Sequence, residues 1–393
     1  TKNKIMSRCF LYILTLTTSV CIGQVQTRYV KPILTDPNYL PAEDSSAVSR
    51  NTNFQLNKLF LFIGGTGSSS SSDYNALRLH AANLGFDFIN LSYLNNVAAA
   101  SLANSTDSMA FNKYRQEVCF GTPVSIDVTV DSLNSVYTRT LKLIQYLDFT
   151  YPTENWGQYL ATSNTFEWSK IIVGGHSQGS GHACFLAKHY FVDRVLMFAG
   201  ANDYSDFYSA SANWIRQSGV TPLNRHFSYL SLNDEVVPYF KQLEVVAGLG
   251  MLLNDDTTHI DNMSAPYASS HCLYTTQPPG IVILNHNVPI KLSAINNNVW
   301  TYMMTTITSG LDNNFETSEF EIYPNPSTNF ICLFFQAIQN KLTYSIYNLS
   351  GQLLKTETIT HQSEKFKIDI ASLKTGFYIL KANGITTKII KQA

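Results

Sequence analysis

The sequence predicts an α/β fold, a mostly parallel sheet covered by helices on both faces, followed by a small all-β sandwich. Three observations predict it. Between residues 55 and 310 short apolar runs alternate with longer helix-patterned stretches, as in a chain of βαβ units. Those runs are apolar almost throughout, Leu-Phe-Leu-Phe-Ile at 59–63 and Ile-Ile-Val at 171–173, which strands buried on both faces require. Beyond residue 319 the helical period is lost, and only short alternating runs separated by turn residues remain.

Taken in order, residues 1–23 read as an export signal: Lys2, Lys4 and Arg8 precede an apolar stretch over 9–22 that ends at Gly23, so cleavage is expected near Gln24. That stretch is too short for a membrane span and no later one approaches about 18 apolar residues, so no transmembrane segment is expected in the mature protein. Cys21 would suit a lipoprotein, but Thr18-Ser19-Val20 fits poorly before a lipidated cysteine. Without the signal, Cys119, Cys184, Cys272 and Cys332 remain in a chain that passes through an oxidising compartment. Cys184 falls on an expected buried helix and Cys332 in the second domain, leaving Cys119 with Cys272 as the pair to consider. None has another cysteine two to four residues away, so structural zinc patterns are missing.

The main domain is expected over 24–310, with strands at 59–63, 86–91, 170–174, 194–198 and 227–232 and helices at 73–84, 131–149, 178–190, 238–252 and 294–306. A polar insert over 93–125 exceeds the roughly 15 residues an ordinary connection needs, which marks it as cover for a functional site. A polar, acidic linker at 311–319 leads to the second domain, 320–393, with strands near 342–347, 352–356, 366–370 and 376–381. Hydrophobic residues make up 45% and charged residues 14%, against about 25% charged in a typical soluble domain, which excludes disorder. A net charge of −1 without any basic stripe excludes an electrostatic nucleic-acid binder.

The chemistry concentrates where Ile171-Ile172-Val173 runs into Gly174-Gly175-His176-Ser177-Gln178-Gly179 and then into a helix. A sharp strand-to-helix turn forces its serine into a strained backbone position, and glycines two before and two after let the chains cross without clashing. The hydroxyl is then presented at the carboxyl edge of the sheet, beside free N–H groups at a helix N-terminus that can hold an oxyanion. A phosphate loop would use the same kind of turn, but Gly-x4-Gly-Lys-Ser/Thr is absent.

Strand, Gly-His-Ser-Gln-Gly and helix together resemble the nucleophile elbow of the α/β-hydrolase superfamily, over residues 55–308. The resemblance implies a serine hydrolase with Ser177 as nucleophile. It also implies an oxyanion hole from the backbone N–H groups of Gln178 and, in the loop after the 59–63 strand, Thr66, although many members carry His-Gly where this chain has Gly64-Gly65. Gly65-x-Gly67 also begins a dinucleotide fingerprint, but its third glycine position holds Ser70. Ser177 needs a histidine base and a carboxylate to orient it. The segment Asn233-Asp234-Glu235-Val236-Val237-Pro238 resembles the family's acid loop, which makes Asp234 the expected acid, with Asp203 as the other candidate. Chain order leaves three bases open. His286 follows the apolar run 281–284 and would sit at the carboxyl end of a strand, His271 opens a strand and would have to reach from a loop, and His259 is the third. His286 is preferred and His271 is its alternative.

In the second domain, Tyr323-Pro324-Asn325-Pro326, Asn348-Leu349-Ser350-Gly351, Lys374-Thr375-Gly376-Phe377-Tyr378 and Lys388-Ile389-Ile390-Lys391 occur in order. This series is similar to the C-terminal sorting domain of the type IX secretion system of Bacteroidota; a carbohydrate-binding or adhesion sandwich is the other reading. The resemblance implies passage through the outer membrane, with the secretion machinery as partner and release or surface attachment as the end. The expected function is therefore that of a secreted carboxylic ester hydrolase needing no cofactor and no metal, acting on esters of lipids, of plant-wall acyl groups or of polyesters. A serine peptidase and a binding protein that keeps the fold without the chemistry are the alternatives.

Overall fold

The run Leu59–Ile63 lies in the middle of the main sheet, and its side chains divide strictly by parity: Leu59, Leu61 and Ile63 join one apolar cluster while Phe60 and Phe62 join another. The same division holds for Ile171 and Val173 against Ile172, and for Val195 and Met197 against Leu196 and Phe198. Successive strand side chains point to opposite faces, so a continuous apolar run feeds two cores, one on each side of the sheet.

The computed structural model describes residues 25–39, 44–252, 257–279, 284–306, 320–323, 327–348, 352–382 and 385–392. Among these, nine strands form the main sheet: β1 (Val25–Val30), β2 (Ser46–Asn51), β3 (Leu59–Ile63), β4 (Asp87–Leu91), β5 (Ile171–His176), β6 (Arg194–Phe198), β7 (His226–Ser231), β8 (Thr258–His259) and β9 (Cys272–Thr275). They pair in the order β1-β2-β4-β3-β5-β6-β7-β9-β8. The first two pairings, β1 with β2 and β2 with β4, are antiparallel; the rest are parallel. Helices α1 (Asn75–Asn83) and α6 (Ala294–Thr305) cover the Phe60 face, and α2 (Ala110–Phe120), α3 (Val136–Thr150), α4 (Gln178–His189) and α5 (Tyr239–Gly248) contribute to the opposite cluster.

Strands β1 and β2 were not expected, because VQTRYV and SAVSRN lack an apolar period. Their polar groups are satisfied from outside the strands: Arg78 of α1 donates to Thr27 and Ser49, and Arg50 pairs with Asp87 and Glu154. Helix α2 lies inside the insert expected to be polar cover. Its Glu117 carboxylate organises the chain that follows, accepting from the N–H groups of Val124, Ser125 and Val130. Cys119, Cys184, Cys272 and Cys332 are all buried and none forms a disulfide, so the expected Cys119–Cys272 pairing is corrected; the Cys119 sulfur instead lies 3.5 Å from His182 Nδ1.

The chain divides into two compact units after Thr306. The second has two antiparallel sheets, one of Phe320–Tyr323, Phe330–Gln339 and Ser363–Asp369, the other of Leu353–Ile359, Leu342–Tyr347, Gly376–Ala382 and Ile385–Lys391. Leu333, Phe366 and Ile368 of the first meet Leu342, Ile346 and Leu380 of the second in one core. The expected export signal at 1–23, the linker at 311–319 and the run at 281–283 lie outside the described residues. Among the described residues no helix is long and apolar enough to cross a membrane.

Candidate functional site

Parallel β3, β5, β6 and β7 all end at one edge of the sheet, and the loops leaving that edge carry the side chains of interest, as expected for open α/β sheets. Ser177 caps α4 with φ 54° and ψ −120°, a conformation that L-residues rarely adopt and that costs about 1–3 kcal/mol. Its surroundings hold it there. The Ser177 N–H donates to Phe198 O at 2.8 Å, and the Ser180 hydroxyl lies 2.8 Å from Gly175 O and 2.9 Å from Phe198 O. Two glycines are obligatory for steric reasons: a Cβ on Gly179 would stand 1.9 Å from Ile63 O, and one on Gly175 would stand 2.3 Å from the Gly179 carbonyl carbon. Elbow and β3 loop are therefore in backbone contact.

Asp234 follows β7, with its side chain fully buried. Oδ1 accepts from the N–H groups of Val236 (2.9 Å) and Val237 (2.8 Å); Oδ2 accepts from Gln242 Nε2 (2.8 Å) and His286 Nδ1 (2.6 Å). Burial raises the carboxyl pKa, but the bonds from His286 and from the two backbone N–H groups outweigh it and hold it below its ordinary value. His286 lies in a 3₁₀ turn, Asn285–Ile290, and Glu235 grips that turn by accepting from the N–H groups of Asn285 (2.9 Å) and His286 (3.2 Å). With Nδ1 on Asp234, the buried His286 Nε2 has no hydrogen-bond partner among the described residues.

Ser177 and His286 line one cleft of about 780 Å³, together with Thr66, Gln178, His176 and Asn202. Gln178 Oε1 accepts from Thr66 Oγ1 (2.8 Å) and from the Ala99 N–H (2.8 Å), which ties the β3 loop and the insert to the elbow. The insert indeed contributes Ala98, Ala99 and Ala100 to the cleft wall. The Gln178 N–H belongs to the first turn of α4 and has no intrahelical acceptor, and among the described residues the Thr66 N–H has no backbone acceptor. Asn202 Nδ2 lies 3.5 Å from Ser177 Oγ.

The other candidates lie elsewhere. His271 stands at the amino end of β9, the opposite edge of a parallel sheet, donating from Nδ1 to His226 O at 3.1 Å and stacking on Phe227 at 4.1 Å. His259 is exposed and bonded to Asp261 (2.9 Å). Asp203 is occupied by Arg115 through bonds of 3.0 and 2.5 Å and by Trp214 Nε1 at 2.8 Å, all buried. Glu235, Gln242, Asn202, Arg115 and Tyr74 were not singled out from sequence. Only the position of Glu235, next to the expected acid, gave any signal.

Residues 321–393 match the family model described as "Secretion system C-terminal sorting domain". This domain marks the chain for export to the cell surface or beyond and makes the type IX secretion machinery its partner. No curated protein matches the chain. Among solved structures, the chain is similar to the "Crystal Structure of TT1662 from Thermus thermophilus" at 12% identity and a TM-score of 0.36, covering 73% of this chain and 99% of that one.

Proposed function

We propose that the main unit is a secreted serine hydrolase of the α/β-hydrolase fold that cleaves carboxylic esters through an acyl-enzyme on Ser177. One observation carries the reading: a serine held at positive φ at a strand–helix elbow shares a cleft with His286, whose Nδ1 is bonded to buried Asp234 and whose Nε2 has no hydrogen-bond partner among the described residues. His286 carries its proton on Nδ1, since a carboxylate can only accept, which leaves the Nε2 lone pair free to take a proton.

Ser177 Oγ attacks the ester carbonyl carbon while its proton passes to His286 Nε2, and Asp234 stabilises the resulting imidazolium. Negative charge gathers on the carbonyl oxygen, where the Gln178 and Thr66 N–H groups and the N-terminal dipole of α4 stabilise it. Collapse breaks the carbon–oxygen bond of the ester, and the alcohol leaves with the proton from His286. Water then attacks the acyl-enzyme by the same route, releasing the carboxylic acid and restoring Ser177. The sorting domain supports a function exercised outside the cell, which favours polymeric and lipid esters as substrates over cytoplasmic metabolites.

A fluorophosphonate probe tests the reading: it should label the wild type and leave Ser177→Ala unlabelled. Lack of labelling in the wild type would instead support a binding protein. Short and long p-nitrophenyl esters beside a peptide substrate separate esterase, lipase and peptidase.

A further inference from the structure

The side chain directly before Ser177 is built into the site in a way the triad chemistry does not require. His176 is buried, and its two ring nitrogens face two different loops. Nε2 lies 3.1 Å from the backbone carbonyl of His286, and Nδ1 lies 3.2 Å from the Tyr74 hydroxyl, which in turn accepts from the Gly65 N–H at 2.9 Å. Donor accounting fixes every proton. A carbonyl only accepts, so Nε2 carries the hydrogen; Nδ1 of the neutral ring then only accepts, and the Tyr74 O–H donates to it; the backbone N–H of Gly65 can only donate. Burial, then the neighbouring His286, lower the His176 pKa to about 3, so the ring keeps the one neutral tautomer this chain of bonds allows.

We propose that Tyr74 and His176 are positioning residues, forming a directed hydrogen-bond relay that locks the β3 loop bearing Thr66, the elbow bearing Ser177 and the turn bearing His286 into one register. The proposal rests on the hydrolase reading of the site. Glu235 holds the N–H side of His286 and His176 holds its C=O side, so the backbone of the base is clamped from both directions while Asp234 fixes the ring. Removing the clamp leaves the ring bonded to Asp234 but lets Nε2 drift from Ser177, and a shift of about 1 Å can cost about 100-fold in rate.

Two substitutions separate the halves of the relay, because Asn reaches about as far as Nδ1 and Gln about as far as Nε2. In full-length protein, His176→Asn should lower kcat about 10- to 100-fold with KM nearly unchanged, and His176→Gln should recover most of it. Tyr74→Phe, which frees the Gly65 N–H, should lower kcat through the oxyanion loop. An activity-independent readout is the His286 Nδ1–H resonance in proton NMR, sharp in wild type and His176→Gln and broadened in His176→Asn, with ¹⁵N shifts reporting the His176 tautomer. If folded His176→Asn matches wild type in kcat and in this resonance, or the tautomer is reversed, the relay is refuted. If the wild type fails to label with fluorophosphonate while the resonance responds as stated, the hydrolase reading falls and the relay stands.

Discussion

Replacing Asp203 with alanine should destabilise the main unit severely without removing its chemistry. Arg115 and Asp203 are both fully buried, joined by two bonds, and a third bond runs from Arg115 Nη1 to Gln178 O at 2.8 Å. Gly181 exists for this guanidinium, since a Cβ there would lie 2.2 Å from Arg115 Nη2. Truncating Asp203 strands a buried cation, at about 3–5 kcal/mol, and leaves the Trp214 N–H unpaired, at about 1–3 kcal/mol. These terms overlap, so a loss of about 4–6 kcal/mol is expected, equivalent to a drop in Tm of roughly 8–15 °C for a unit of this size. Calorimetry or melting followed by circular dichroism measures it. A Tm within about 2 °C of wild type would refute the assignment of Asp203 to structure. Labelling of the folded protein at low temperature supplies the second control: Asp203→Ala should still react with fluorophosphonate, whereas Asp234→Ala should react far more slowly.

Gly179→Ala should yield little folded protein, because its Cβ would overlap Ile63 O; a soluble variant with the wild-type melt would contradict the close crossing of elbow and β3 loop. Stability should fall as pH drops from 7 to 5. Burial lowers His176 to about 3, His226 to about 4 and His182 well below its ordinary value, so from pH 6.5 downward the unfolded chain binds protons that the folded chain refuses. Asp87, raised by burial to about 6, acts in the opposite sense and cancels roughly one histidine, leaving a slope of about 3 kcal/mol per pH unit. Urea midpoints at pH 7, 6 and 5 read this directly, and a flat profile would contradict it. Deleting residues 321–393 should keep the protein inside the cell envelope, as fractionation and immunoblotting would show; export undiminished by the deletion would sever the tail from sorting.

The strands at 59–63 and 194–198 were legible to the residue, because a parallel strand buried on both faces carries its own apolar signature, and the helices expected from 73 and 178 start within two residues of those positions. The Ser177 elbow was legible for a related reason: backbone strain of that kind requires glycines at fixed offsets, and offsets are written in sequence. Polar strands β1 and β2 were not legible, since their burial depends on Arg78, Asp87 and Glu154 arriving from elsewhere in the chain. The same limit governs the histidines. Sequence supplied three of them in the main domain after Asp234, and local pattern could only rank them. Which edge of the sheet each occupies is decided by strand direction and by one carboxylate 52 positions away from His286, and those are properties of the folded chain. Local chemistry thus determined the turn at Ser177, and long-range packing decided what surrounds it.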